Sequence, residues 1–191
     1  MTPEHVLIEQ LKHGDEAAFK SIVTQWQDMV YNTILGLVQN ETEAEDLSQD
    51  VFVKVYESIG SFKGESKFST WLYRIAVTRA LEFLRSKKRK KRFGFLMPLF
   101  GEDNTATVQP ADFHHPGVTL DNKERATHLF KAIAQLPENQ RVAFTLHKLE
   151  GLSYKEIGDI METTVPAVES LMNRAKGNLR KHLADYYNQY D

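Results

Sequence analysis

Residues 153–183, SYKEIGDIMETTVPAVESLMNRAKGNLRKHL, divide into a short helix, a tight turn and a longer helix. Ser153 stands three residues before Glu156, the spacing of a capping box, in which each side chain accepts from the other residue's backbone N–H. Ile157, Ile160 and Met161 give the short helix its apolar side. Glu162-Thr163-Thr164 makes the turn. Pro166 falls in the first turn of the next helix, where its missing N–H is tolerated. Val168, Leu171, Met172, Ala175, Leu179 and Leu183 recur at three- and four-residue spacing, which makes one buried stripe. These are helix-turn-helix dimensions. The opposite face carries Ser170, Asn173, Arg174, Lys176 and Lys181. Arg can make paired bonds to guanine and Asn to adenine, whereas Lys neutralises phosphate. A plain helical hairpin with a solvated polar face has the same pattern, so spacing alone leaves both readings open. Glu169 would be repelled by phosphate and must face a base edge or solvent.

Helical periodicity continues outward from that stretch. Pro137 opens a helix with Val142, Phe144, Leu146 and Leu149 that ends at Gly151. Asp121 or Asn122 starts another, with Leu129, Phe130 and Ile133 inward. Residues 86–119 break the pattern and read as a linker, because loops this long are uncommon inside a compact domain. The linker opens with a basic run, Arg85-Ser86-Lys87-Lys88-Arg89-Lys90-Lys91-Arg92. An apolar patch, residues 93–100, follows, and is expected to dock on the protein itself.

Before the linker the chain is helical again. Asp15 can cap a helix reaching about Gln39. Asn40 or Thr42 can cap the next, which buries Leu47, Val51, Phe52, Val55, Tyr56 and Ile59 and stops at Gly60. Residues 61–68 form a loop around Gly64. A helix from Ser69 or Thr70 buries Trp71, Leu72, Ile75, Ala76 and Ala80. A short helix, residues 3–13, leans on this bundle. The fold class is therefore all-α: two small helical domains, residues 1–85 and 120–191, joined by the linker 86–119.

The 191 residues carry a net charge of −2, but the charges are segregated. Residues 1–60 hold 11 Asp/Glu against 3 Lys/Arg, and residues 61–92 hold 11 Lys/Arg against 2 Asp/Glu. Such asymmetry implies two partners, one basic and one rich in phosphate. No apolar run is long enough to span a membrane, and the amphipathic N-terminus does not read as a signal peptide. The absence of cysteine excludes disulfides and thiolate zinc sites and suits a reducing cytoplasm. The histidines lack ligand spacing, so neither metal nor cofactor is expected.

Two constellations fit the charge pattern. Lys63, Lys67, Phe68, Trp71, Tyr73, Arg74 and Arg79 interleave bases with aromatic rings. Single-stranded nucleic acid needs that mixture, since it offers phosphates and exposed base faces together. By helical spacing alone the rings are better read as core. Asp46, Gln49 and Asp50 share one face by i, i+3, i+4 spacing, outside the buried stripe, where a polar row could dock a basic helix. Glu41–Asp46 also simply suit a helix start, where the dipole favours acids.

The residues also carry a family resemblance. Ala44-Glu45-Asp46-Leu47-Ser48-Gln49-Asp50-Val51-Phe52 resembles a signature of sigma region two, and Phe68-Ser69-Thr70-Trp71-Leu72-Tyr73-Arg74-Ile75-Ala76 resembles the one that follows it. Leu136-Pro137-Glu138-Asn139-Gln140-Arg141 with Leu152-Ser153-Tyr154-Lys155-Glu156-Ile157 resembles sigma region four. In this order they resemble the extracytoplasmic-function class of bacterial RNA polymerase sigma factors, over about residues 15–85 and 120–184. The resemblance implies no catalytic site. It implies that Asp46, Gln49, Asp50 and Phe52 meet the clamp helices of the core polymerase β′ subunit. Lys63, Lys67, Trp71, Arg74 and Arg79 would hold the melted minus-ten strand. Ser170, Asn173, Arg174, Lys176 and Lys181 would meet the minus-thirty-five duplex. An anti-sigma factor is a further partner of that kind of protein. Where many members carry Arg-Asn after the second signature, Val77-Thr78 stand here.

The rival readings are a stand-alone helix-turn-helix regulator, an RNA-binding factor using the basic run, and a metal-dependent enzyme. In the favoured reading the linker lets the two domains of the free chain sample many separations. The second DNA contact then gains little effective concentration.

Overall fold

A computed structural model describes residues 3–95 and 123–187. The helices are α1 (Glu4–Lys12), α2 (Glu16–Val38), α3 (Glu41–Ser58), α4 (Phe68–Phe95), α5 (Lys123–Ala134), α6 (Glu138–Lys148), α7 (Tyr154–Met161) and α8 (Val165–Tyr187). The described residues include no strand, as the all-α reading requires.

The first bundle is built from its caps inward. Asp15 accepts from the N–H groups of Ala17 and Ala18 at 2.8 and 3.1 Å, and Asn40 accepts from Glu43 at 2.9 Å. Each satisfies donors that a helix start leaves unpaired. Between the two caps Gln39 turns the chain in the left-handed region, at φ 58°. α2, α3 and α4 then pack around Ile22, Val30, Ile34, Val51, Val55, Leu72 and Ala76, all buried. α1 adds Leu7, Ile8 and Leu11 against α2. Burying such a side chain contributes about 1.5–3 kcal/mol.

The second bundle sets α5, α6 and α7 against α8, over Ile133, Val142, Leu146, Ile157, Met172 and Ala175. The capping box at Ser153 and Glu156 forms as expected. The turn into α8 is tight because residue 158 is glycine. A Cβ there would lie 2.9 Å from the Thr163 carbonyl oxygen. In its absence the Thr163 N–H closes the turn by donating to the Gly158 carbonyl oxygen at 2.9 Å.

Four expectations change. Tyr56 is not buried: it is 47% exposed, with its ring edge-on to Phe19. α3 gives way to a 3-10 turn, Ile59–Ser61, and α4 starts at Phe68, where burying the ring extends the helix toward the loop. The basic run is not irregular linker. α4 carries it to Phe95, since Lys and Arg favour helix and no Pro interrupts them. Lys87 pairs with Glu43 and lies over the Phe83 ring, which anchors the base of that extension. Lastly, the domains do not stand apart: α4 packs on α7 and α2 on α6. The side chains of the apolar patch, residues 93–100, lie outside the described residues, and so does the stretch up to residue 122.

Candidate polymerase and nucleic-acid interfaces

The candidate recognition face of α8 is built by its own helix. Ser170, Asn173, Arg174 and Lys181 fall on one side, opposite buried Val168, Met172, Ala175 and Leu179. Asn173, Arg174 and Lys181 are exposed and Ser170 half-buried. Arg174 Nη2 donates to Ser170 Oγ at 2.7 Å and Nε to the Ser170 carbonyl oxygen at 3.3 Å. The guanidinium is thereby held one turn back along the helix, with other N–H groups left for an acceptor such as a guanine edge. Lys176 is exposed but lies on the flank with Glu169, roughly 120° round from Ser170.

The acidic row of α3 is also presented as expected. Asp46, Gln49 and Asp50 are exposed, and neither acid has an ion-pair partner among the described residues. Phe52 does not belong to that row. It is 7% exposed, part of the core beneath. The sequence reading missed Val53, which continues the row at i+3 from Asp50 and is 56% exposed. Tyr56 follows, so the face runs from acidic to apolar.

The aromatic-basic segment separates by residue type. Phe62, Phe68 and Trp71 pack on one another with ring centroids 5.4–5.7 Å apart, and Trp26 abuts Phe68. Phe62 and Phe68 are core, and Trp26 and Trp71 are partly buried against them. Lys63 and Lys67 are exposed at the loop, and Arg79 pairs with Glu82 at 3.3 Å. Val77 is buried, whereas Thr78 is exposed.

Comparison with known proteins agrees with this geometry. The sigma-70 region 2 family model matches residues 22–90 and the sigma-70 region 4 model residues 129–179. The RNA polymerase sigma-H factor of Pseudomonas aeruginosa is 34% identical over 187 residues, covering 93% of this chain and 92% of the relative. The chain belongs to the extracytoplasmic-function class of sigma-70 factors. The sigma-E factor of Escherichia coli K12 is 34% identical over 173 residues, covering 91% of this chain and 90% of the relative. Among solved structures, CnrH in complex with the cytosolic domain of CnrY superposes with a TM-score of 0.66 at 19% identity, over 95% of this chain and 97% of that one. Bartonella quintana RpoE, solved with the anti-sigma factor NepR, gives 0.63 at 23% identity, over 87% and 96%. Both likenesses are of fold. A sigma factor directs RNA polymerase in promoter recognition and is not an enzyme. No cluster among the described residues could hold a metal ion, and no described helix is long and apolar enough to cross a membrane.

In this sigma factor the remaining candidate, Arg74, is engaged across the domain boundary. Its Nε donates to the Asp159 carbonyl oxygen at 3.2 Å, its Nη2 meets the same oxygen, and its Nη1 lies 3.2 Å from Glu162. Nearby, Lys67 faces Glu156 at 3.7 Å and Arg85 holds Glu138 at 2.8 Å. The Arg85 guanidinium keeps the Glu138 carboxyl below its ordinary pKa. Between these ion pairs, the buried Tyr73 hydroxyl sits 3.5 Å from Glu150 Oε2. Burial pushes the Glu150 carboxyl up to about 7, and the Tyr73 and Thr33 hydroxyls pull the other way. The Tyr73 phenol is likewise raised, by burial first and by Glu150 second. No periodicity marks Tyr73 and Glu150 as partners. The one available signal was an acid beside the Leu149 stripe with no Lys or Arg three or four residues away.

Proposed function

We propose that this sigma factor docks on the β′ clamp helices of core polymerase through the α3 row Asp46, Gln49, Asp50 and Val53. In that assembly Lys63, Lys67, Trp71, Arg74 and Arg79 hold the melted minus-ten strand. Ser170, Asn173, Arg174 and Lys181 meet the minus-thirty-five duplex, and Lys176 supplies a flanking phosphate contact. The division of labour runs between residues 1–85 and 120–191, with 86–119 connecting them and its basic start carried on α4. An anti-sigma factor is a further partner, as NepR is for Bartonella quintana RpoE, a protein of similar fold. The reading places the protein in the cytoplasm.

One observation carries the reading: the unpaired acidic row and the Ser170–Arg174 face belong to different domains and point to different chemistries, one to a basic protein surface and one to base edges. A stand-alone regulator leaves the acidic row without a use. The test is run-off transcription with core polymerase across a promoter library. Promoter-selective transcripts that depend on the protein support the reading. Tight, promoter-specific duplex binding without polymerase, at near-physiological salt, would favour the stand-alone regulator instead.

A further inference from the structure

The two domains of the free chain meet through groups of two kinds. At the rim are ion pairs: Arg74 with Glu162, Lys67 with Glu156 and Arg85 with Glu138. Each has at least one partner more than half exposed, and such pairs contribute about 0–1 kcal/mol. Inside the rim is a carboxyl with no compensating charge. Glu150, in the turn after α6, has one oxygen facing Tyr73 and the other, Oε1, buried without a hydrogen-bond partner. Thr33 of α2 is close, but its hydroxyl donates to the Met29 carbonyl oxygen at 2.8 Å. From α4 the titratable group facing Glu150 is Tyr73. From α7, Glu156 acts on the same tyrosine and is itself tied to Lys67. On its own segment His147 turns its Nδ1 to the Leu152 carbonyl oxygen, and its ring lies tilted against that of Tyr154. No cation pairs with Glu150 among the described residues. A bare carboxylate in such a place loses hydration and gains no ion partner, whereas the neutral acid avoids that cost.

We propose that the packed arrangement is a proton-dependent latch: closing the domains places a protonated Glu150 against Tyr73 and Thr33, and ionising it parts them and releases Arg74. The inference rests on the sigma-factor reading only for its consequence, that Arg74 is unavailable to a promoter strand while the latch is shut. The direction follows from linkage. The closed carboxyl titrates near 7, and once exposed it returns to its ordinary value of 4.5. Closure therefore takes up a proton. The stabilisation is complete below 4.5 and is lost as pH rises through 7. Between pH 6 and pH 8 the closed-to-open ratio should fall about tenfold.

Because the chain has no cysteine, two can be placed cleanly at exposed sites on either domain, Glu57→Cys and Arg180→Cys, and labelled for distance measurement. In the otherwise wild-type chain the ratio of short-distance to long-distance populations should fall from pH 6 to pH 8 by that factor. Glu150→Gln, a neutral amide of the same shape, should stay closed at both values. Tyr73→Phe, which removes the facing hydroxyl and leaves the ring, should weaken closure at pH 6. A distance distribution unchanged with pH overturns the proposal. So does a Glu150→Gln chain that opens as the parent does, since Glu150 would then not be the group that sets the pH dependence. The measurement uses neither polymerase nor DNA, so a failure of the latch is distinct from a failure of the sigma-factor reading in transcription.

Discussion

Arg74 and Arg174 are both candidate nucleic-acid contacts on long helices, but they are restrained in different ways. Arg174 is tied to Ser170 four residues earlier on the same helix. Its posture is a property of α8 alone and persists wherever the second domain goes. Arg74 is tied to Asp159 and Glu162, 85 and 88 residues away in the chain, and its posture depends on how the domains pack. One arginine keeps its posture whatever the domains do, and the other changes its surroundings if they part. The expected flexible pair of domains is therefore corrected to a packed pair, and the weak promoter binding expected of the free chain has a different cause. The arginine proposed to face the strand is occupied in the packed pair.

That contrast can be broken or sharpened by substitution. The largest effect should come from Asp50→Lys, because polymerase docking is the event that would separate the domains. Reversing a charge in a close interfacial pair costs several kcal/mol by order of magnitude. Co-purification with core polymerase should fall by more than about 100-fold while circular dichroism stays unchanged. Retained co-purification means α3 is not the docking face.

Next is Gly158→Ala, which tests whether α8 is presented by its own domain. The added carbon meets backbone at 2.9 Å, and opening the turn should cost about 1–3 kcal/mol, seen as a lower midpoint in urea. Upstream duplex contact should weaken, with the α3 docking unaffected. An unchanged midpoint would mean that the turn yields freely.

Arg174→Ala should then relax base preference at the upstream element by roughly 1–3 kcal/mol, whereas Lys181→Ala weakens all sequences alike and lowers the salt slope by about 1. Binding across a set of operators at two salt concentrations separates the two. Equal shifts in preference would show that the face has been assigned to the wrong side of α8.

The smallest effect belongs to Glu162→Gln. It removes an exposed pairing of Arg74, and binding of single-stranded DNA by the free chain should rise by no more than about fivefold. The same change should not alter binding once polymerase holds the domains apart. A decrease in the free chain would show that Arg74 needs Glu162 to point at the strand.

Caps and stripes were legible at the level of single residues. Asp15, Asn40 and Ser153 each bind N–H groups two or three residues on, so their signal lies within one turn. Phe52 and Tyr56 were harder, because the periodicity places both near the edge of the buried stripe. Packing against α2 and α4 decided that one is core and the other rim. Val53 was overlooked because it falls outside the buried stripe and, being apolar, does not match the polar row either. The basic run looked like linker because composition changes at Ser86, but like charges along a helix are tolerated when solvent and Glu43 screen its base.

The sequence alone determined an all-α chain, the two helical units and their order, the helix-turn-helix, the acidic row and the α8 face. All of these follow from spacings of two to four residues along a helix, where side-chain proximity is dictated by its pitch. The tertiary structure alone decided that the two units pack together, that Arg74 is engaged and that Glu150 meets Tyr73. These pairs are separated by 85 and 77 residues. At such separations no periodicity links the partners, and proximity depends on how two finished surfaces fit.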